Sequence, residues 1–318
     1  MPQARGFQEK LLIAFETTYN ETPTINDGDM VAVPFNSIGL GSDENMIDPA
    51  TIISGKRYES EPIFGNVSVQ GPLVVPLDVR FIGYWLKAMF GAPTTTGTGP
   101  YTHAFSPVDD NPSLVIERGF TDISKYSVFN GVKINNFNLD FSTNAELVAS
   151  LDLLGGKEIS PASSTLDGSP QELTITRFNA KNVVLKKGGS DVAIATNGSL
   201  KMSQTLDDGV FTLSSNGFRH SLPEQRLMIN GSAELLFVDS EWIDLAINGT
   251  EFDLEFYMTA GAHSLKITLP EVKMRRQPIS GEGVGPKYVP VDFKAYWQDS
   301  VDGVPIKVEL INDVASYA

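Results

Sequence analysis

The chain has 318 residues, 41% of them hydrophobic, enough for one large domain or two ordinary ones with a buried core. Its 24 basic against 39 acidic residues leave a net charge of −15, which disfavours gripping nucleic acid by its phosphates. The absence of cysteine removes disulfides and thiolate metal sites and fits a cytosolic origin, and no run approaches the ~18 apolar residues of a membrane span.

Residues 1–30 read as an N-terminal arm with at most one strand, Leu11–Phe15, and MPQARGFQEKLLIAFE lacks the apolar run of a signal peptide. Short β-like runs, VAVPF and TIISGKRY, follow, split by an acidic loop at Gly41–Asp48. In NVSVQGPLVVPLD, Val67 and Val69 alternate with polar residues, Gly71 interrupts, and Leu73, Val75 and Leu77 resume the alternation. Asp78 is placed to cap a helix whose apolar stripe is Ile82, Trp85, Leu86 and Met89, and Gly91 ends it. Ala92–Tyr101 is a Gly/Thr/Pro loop and Ser113–Arg118 a strand. Along Val132–Phe141 the apolar parity changes at Asn135-Asn136, which predicts a bulge. Leu147, Ala149, Leu151 and Leu153 alternate as another strand.

KEISPASSTLDGSPQE, residues 157–172, is rich in Ser and Pro and reads as a linker. It divides a first unit, 31–156, from a second, 173–299, with a C-terminal tail at 300–318. In the second unit Val183–Leu185 and Val192–Ile194 flank KKGGSD as a hairpin. A shift of about half the chain then carries Val67, Val69 and Gly71 onto Leu227, Ile229 and Gly231. The same shift carries Leu73, Val75 and Leu77 onto Ala233, Leu235 and Phe237, and Ile82, Trp85 and Leu86 onto Trp242, Leu245 and Ala246. Asp239 and Gly249 stand as cap and stop of that second helix. Strand, glycine, strand, cap, helix and glycine recur in one order, which reads as a duplicated β unit with one helix.

Catalytic or metal-binding patterns are not found. His103, His220 and His263 form no HxH or HExxH spacing and read as surface or loop residues. GEGVG at Gly281–Gly285 lacks the Lys-Ser/Thr of a phosphate loop, and Asp207-Asp208-Gly209 and DSVDG at Asp299–Gly303 lack calcium-loop spacing. Asp109-Asp110 lie in a polar, solvated loop, and no GxSxG elbow is present. Phe252, Phe256 and Tyr257 alternate with carboxylates rather than with the cations a single-strand stacking platform needs. Trp85, Trp242 and Trp297 fall on core-patterned positions. No catalytic, cofactor or metal residue is therefore assigned, and the chain is not expected to be an enzyme.

LLIAFETTYNETPT, SGKRYESEPIFGNVSVQGPLVVPLD, YTHAF and VFNGVKINNFNLDFS resemble the phage tail tube protein family of long-tailed bacteriophages. The resemblance covers nearly the whole chain, most clearly residues 10–155. It implies a mainly β fold, two tandem tail-tube-like sandwich or barrel domains each with one short helix. It implies a structural virion protein, made in the host cytoplasm, whose rings stack into the tail tube through which DNA leaves without specific binding. Two tube domains per chain would close a pseudo-sixfold ring as a homotrimer; the alternative is a homohexamer. Tape-measure, tail-terminator and distal tail proteins are the implied partners, with no membrane and no cofactor. A tandem β-sandwich adhesin or binding module is the alternative function. The polar segments 1–30, 41–49, 92–100, 275–289 and 300–318 are expected to order on assembly.

Overall fold

The computed structural model describes residues 3–50, 53, 57–279, 284–298 and 303–317. Most of TIISGKRY, residues 281–283 of GEGVG and residues 299–302 of DSVDG lie outside the described residues. The fold is mainly β with two short α-helices.

Its spine is β9 (Lys125–Ser142), long enough at 18 residues to belong to two sheets. Opposite Asp152 and Leu153 its pairing jumps from Asn136 to Ile134, so Asn135 is the extra residue of a bulge, where the parity change places it. Before the bulge β9 pairs with β8 (Leu114–Phe120) and β11 (Lys157–Ala162). β8 then pairs with β1 (Glu9–Phe15), β1 with β2 (Val31–Ala32), and β2 in parallel with β12 (Gln171–Glu172).

Beyond the bulge β9 sits in a second sheet. One edge carries β10 (Val148–Gly155), then β5 (Ile63–Pro76), then β3 (Ser37–Ile38) and β4 (Gly41–Ile47). The other edge carries β15 (Ala195–Ser203), followed by β16 (Met228–Leu236), β19 (Tyr288–Ala295) and β18 (His263–Arg275). β18 also pairs with β17 (Phe252–Ala260) and β20 (Lys307–Asn312). β17 pairs with β13 (Val183–Lys187), which forms the expected hairpin with β14 (Ser190–Asp191). β20 returns to the first half and pairs with β7 (Tyr101–Phe105), itself paired with β6 (Thr94–Thr96).

Several expectations are corrected. Gly71 does not interrupt β5, which runs unbroken through it. Gly41–Asp48 is largely the strand β4: its exposed side chains hide the pattern, but its backbone is paired to β5. The loop at Ala92–Tyr101 contains β6. Residues 157–172 form β11 and β12 and are tied to the first half by two buried carboxylates. Asp167 accepts from the backbone N–H groups of Gly28, Met30 and Ser169. Desolvation pushes its pKa up, but those donors together hold it below the usual carboxylate value. Glu117 accepts from Thr165 Oγ1 at 2.7 Å and Leu166 N at 2.6 Å. The tail is no free end either: from Lys307 it is β20, and Tyr317 is buried.

The first helix, α1 (Ile82–Phe90), begins one turn after Asp78. Asp78 is fully buried and caps the preceding turn, accepting from Arg80 N at 2.8 Å, Phe81 N at 3.2 Å and Thr176 N. All of α1 except Lys87 is buried, rather than a single stripe. The second helix, α2 (Glu241–Asn248), is amphipathic and buries only Trp242. One apolar cluster runs from Leu11 through α1 to Leu310 and joins both halves.

Candidate assembly interface

The second sheet crosses from one half of the sequence to the other without a break. Two rows of side chains show its construction. The first row is apolar: Leu73 faces Leu151, then Phe137, Met202, Ile229, Ala295 and Val272 across successive strands. All are buried. The neighbouring row points the other way, as strand alternation demands. It runs Ser150, Asn138, Lys201, Asn230, Lys294 and Lys273. The seam between halves, β9 against β15, falls in the middle of both rows and is paired over seven positions from Ser142 with Asn197 to Asn136 with Ser203.

The two halves repeat one order of pairing around this seam: β5–β10–β9 in the first and β16–β19–β18 in the second. Gly71 faces Leu153 in β10 and Gly231 faces Phe293 in β19. A Cβ on Gly71 would lie 2.2 Å from Gly39 O, and one on Gly231 would lie 2.5 Å from Ser199 O. Both glycines therefore let the preceding strand approach closely. After these strands, Asn136 Nδ2 donates to Asp152 at 2.9 Å and Arg275 donates to Asp292 at 3.0 Å, the same cross-strand tie in each half.

Polar contacts from the second half lock the seam. Arg219 is buried, and its guanidinium donates to Val69 O at 2.8 Å, Gly155 O at 2.9 Å and Asp208 O at 2.9 Å. Desolvation lowers its pKa, with Asp208 opposing. Lys133 donates to Glu224 at 2.7 Å and to Asp110 at 3.2 Å. Asn135, the bulge residue, accepts from Gln204 N and Leu206 N. The sequence marks Asn135 as a bulge but holds no sign of its partners or of Arg219's role, because the groups they meet at Val69, Gly155, Gln204 and Leu206 lie far along the chain.

The bare face of this sheet is hydroxyl- and amide-rich. Ser199 and Ser232 hydrogen-bond across the strands at 2.8 Å. Asp140, Asp152, Glu234 and Asp292 share this face with Lys201, Lys273, Arg275 and Lys294, and Arg275 pairs with Asp292 at 3.0 Å. The cations of this face therefore lie on β15, β18 and β19, all in the second half, with Lys294 directly opposite Lys273.

The remaining residues weighed from sequence are scattered. His103 is a correction, being fully buried in β7 rather than on the surface. Its Nδ1 accepts from Thr95 Oγ1 at 2.8 Å, and its Nε2 faces Val314 O at 2.9 Å and Asn312 Oδ1 at 3.2 Å. His220 is exposed, and Asp207 closes a turn by accepting from Gly209 N. Phe256 is core and stacks on Phe141 across the seam at 5.0 Å. Trp85 and Trp242 are buried, but Trp297 is 60% exposed, because β19 ends at Ala295 before reaching it. Among the described residues no group of three His, Asp or Glu is placed to hold a metal, and no helix is long and apolar enough to cross a membrane.

A family model described as phage tail tube protein matches residues 6–295. No curated protein matches the chain.

Proposed function

The chain belongs to the phage tail tube protein family, a structural component of the virion tail, and on that premise we propose that it assembles into rings that stack as the conduit for DNA ejection. The observation that carries this reading is the unbroken sheet β5–β10–β9–β15–β16–β19. Each half, 31–156 and 173–299, contributes one tube-like unit. The matched pairing orders and the two close-approach glycines support a duplicated unit. Two units per chain close a pseudo-sixfold ring from three copies.

The sheet is covered on one side by α1 and the β1–β8 layer in the first half and by β17 and α2 in the second, and among the described residues it is bare on the other. A closed ring has less room inside than outside, so the covered side faces out and the bare face lines the lumen. Ser150, Asn138, Ser199 and Ser232 then meet the DNA, and Asp140, Asp152, Glu234 and Asp292 on the same face oppose tight phosphate binding. The work is structural rather than catalytic. Tape-measure, terminator and distal tail proteins are its expected neighbours.

Sedimentation across a concentration series, with negative-stain microscopy, tests the assembly. Rings of three chains that stack into tubes at high concentration are expected. Six chains per ring would overturn the trimer, and a monodisperse monomer at every concentration would overturn the tube reading.

A further inference from the structure

We infer that ring closure joins the outer edge of β3–β4 in one copy to the outer edge of β18 past Val272 in the next, in the geometry that β15 and β9 adopt within a single chain. This rests on the assembly reading above and adds to it which edges meet.

Four observations place the joint. First, β3–β4 lies against β5 as β15 lies against β16, and Gly71 and Gly231 each abut the neighbouring strand's carbonyl, at Gly39 and Ser199. The outer edge of β15 is occupied by β9, whereas among the described residues that of β3–β4 pairs with nothing. Second, β18 is arranged like β9. Its pairing with β17 stops at Val272, as the pairing of β8 with β9 stops at Val132. Past that point β9 receives β15, while the same edge of β18, among the described residues, is open. One free edge at each end of a sheet is a head-to-tail contact, the kind that generates rings.

Third, the charges are complementary. Placing β3–β4 of a second copy where the internal seam has β15 sets Asp43 in the position of Ser203, opposite Arg275 in the position of Asn136. Glu44 and Arg276 flank this pair, and all four side chains are exposed in the single chain. Opposite charges across a ladder favour this register over a slipped one.

Fourth, a groove of about 770 Å³ beside β3, lined by Leu11, Val33, Phe35, Ser37 and Ile38, stands open in the first half. Its counterpart in the second half, lined by Leu185, Ala195, Asn197 and Gly198, holds the end of β9 at Phe141–Thr143 and is only about 70 Å³. The open groove is the place where the neighbouring copy's edge would run.

Because the chain has no cysteine, the joint can be read by a designed cross-link. Carrying Ser42→Cys and Arg276→Cys together, the full-length chain should on oxidation give a covalent species of three chains, and neither single variant should. Asp43→Lys, a change at an exposed position, should leave the melting temperature unchanged but raise the concentration needed for rings at least ~tenfold. Native rings that form while the double variant stays uncross-linked, or an unaltered ring threshold in Asp43→Lys, overturn the edge assignment and leave the tube reading standing. A native chain that never forms rings overturns both.

Discussion

α1 and α2 occupy the same place in two matching runs of strand, glycine, strand and helix, yet their surroundings differ. α1 is sealed on nearly every side, and α2 buries one residue. The cover on α1 comes from distant parts of the chain. Tyr317 packs edge-on against Tyr84 at 4.9 Å and donates its hydroxyl to Arg80 O at 2.9 Å. Lys87 donates to Tyr317 O at 2.8 Å and sits 3.8 Å over the Phe15 ring, and Gln204 donates to Met89 O at 2.7 Å. The cover on α2 is thinner: Trp242 packs edge-on against Phe252 at 5.7 Å with Lys187 above it, and Ile243, Leu245 and Ala246 are only partly buried against the core. A helix's own sequence thus fixes its stripe, while later chain decides whether the opposite side is also core. The last strand and tail, though they follow the second half, complete the first.

The widest separation between the two helices should appear in their tryptophans. Trp85→Ala removes a side chain enclosed on every side and should cost ~3–5 kcal/mol in denaturant unfolding, with ring assembly lost as a consequence. Trp242→Ala should cost less, about 2–3 kcal/mol, because a helix at the surface can settle into the gap. Equal losses would mean that the cover on α1 contributes nothing. A Trp85→Ala chain that folds normally but cannot assemble would make α1 an interface instead of core.

Gly83 tests the cover directly. A Cβ there would lie 2.0 Å from the Tyr317 ring, whereas Ile243 holds the matching position of α2, where no tail docks among the described residues. Gly83→Ala should therefore cost ~1–3 kcal/mol and release the C-terminal residues to carboxypeptidase. Continued protection of the tail would show that Tyr317 is not held by this fit.

A milder effect follows from His103, which lies under the same tail, 4.8 Å from the Tyr317 ring. Burial lowers its pKa below the ordinary 6.5, with the Val314 and Asn312 contacts opposing. As pH falls through 6.5 the unfolded chain takes up a proton that the folded chain refuses, so stability is full above that pH and declines below it. Asp313, held low first by its hydrogen bond from Arg80 and further by that residue's charge, gives up its contribution only at more acid pH. The thermal midpoint should drop between about pH 7 and about pH 5, and His103→Gln should flatten that drop. An unchanged profile in His103→Gln would remove His103 as its source.

These contrasts also mark what sequence could and could not convey. The KKGG hairpin, the parity change at Asn135 and the alternation of Phe137, Leu139 and Phe141 are local patterns, and the structure has each of them; the four-residue stripe of α1 is only part of what that helix buries. β4 escaped because GSDENMI is exposed along its length, so only its partner β5 makes it a strand. Residues 157–172 looked like a linker because their anchors, Glu117 and the backbone of Gly28 and Met30, are distant. The seam was visible from each side, in Leu139 and in Leu200 with Met202, but alternation says which face of a strand is apolar and not which strand lies beside it.

The finest contrast lies in the two aspartates that open the helices. Asp78 is fully buried and ties the turn before α1 to Thr176 as well as to Arg80 and Phe81. Asp239 stands exposed before α2 and accepts one bond, from Glu241 N at 3.0 Å. Water can replace that single acceptor, so Asp239→Ala should cost only about 0.5–1 kcal/mol, the low end for a lost cap. The loss should appear as local fraying of α2 by amide exchange, with the global midpoint almost unmoved. If Asp239→Ala lowers the global midpoint as far as Trp242→Ala does, then α2 is held by its first turn more than by its buried face. The comparison with α1 would then have to be drawn at the caps and not at the cores.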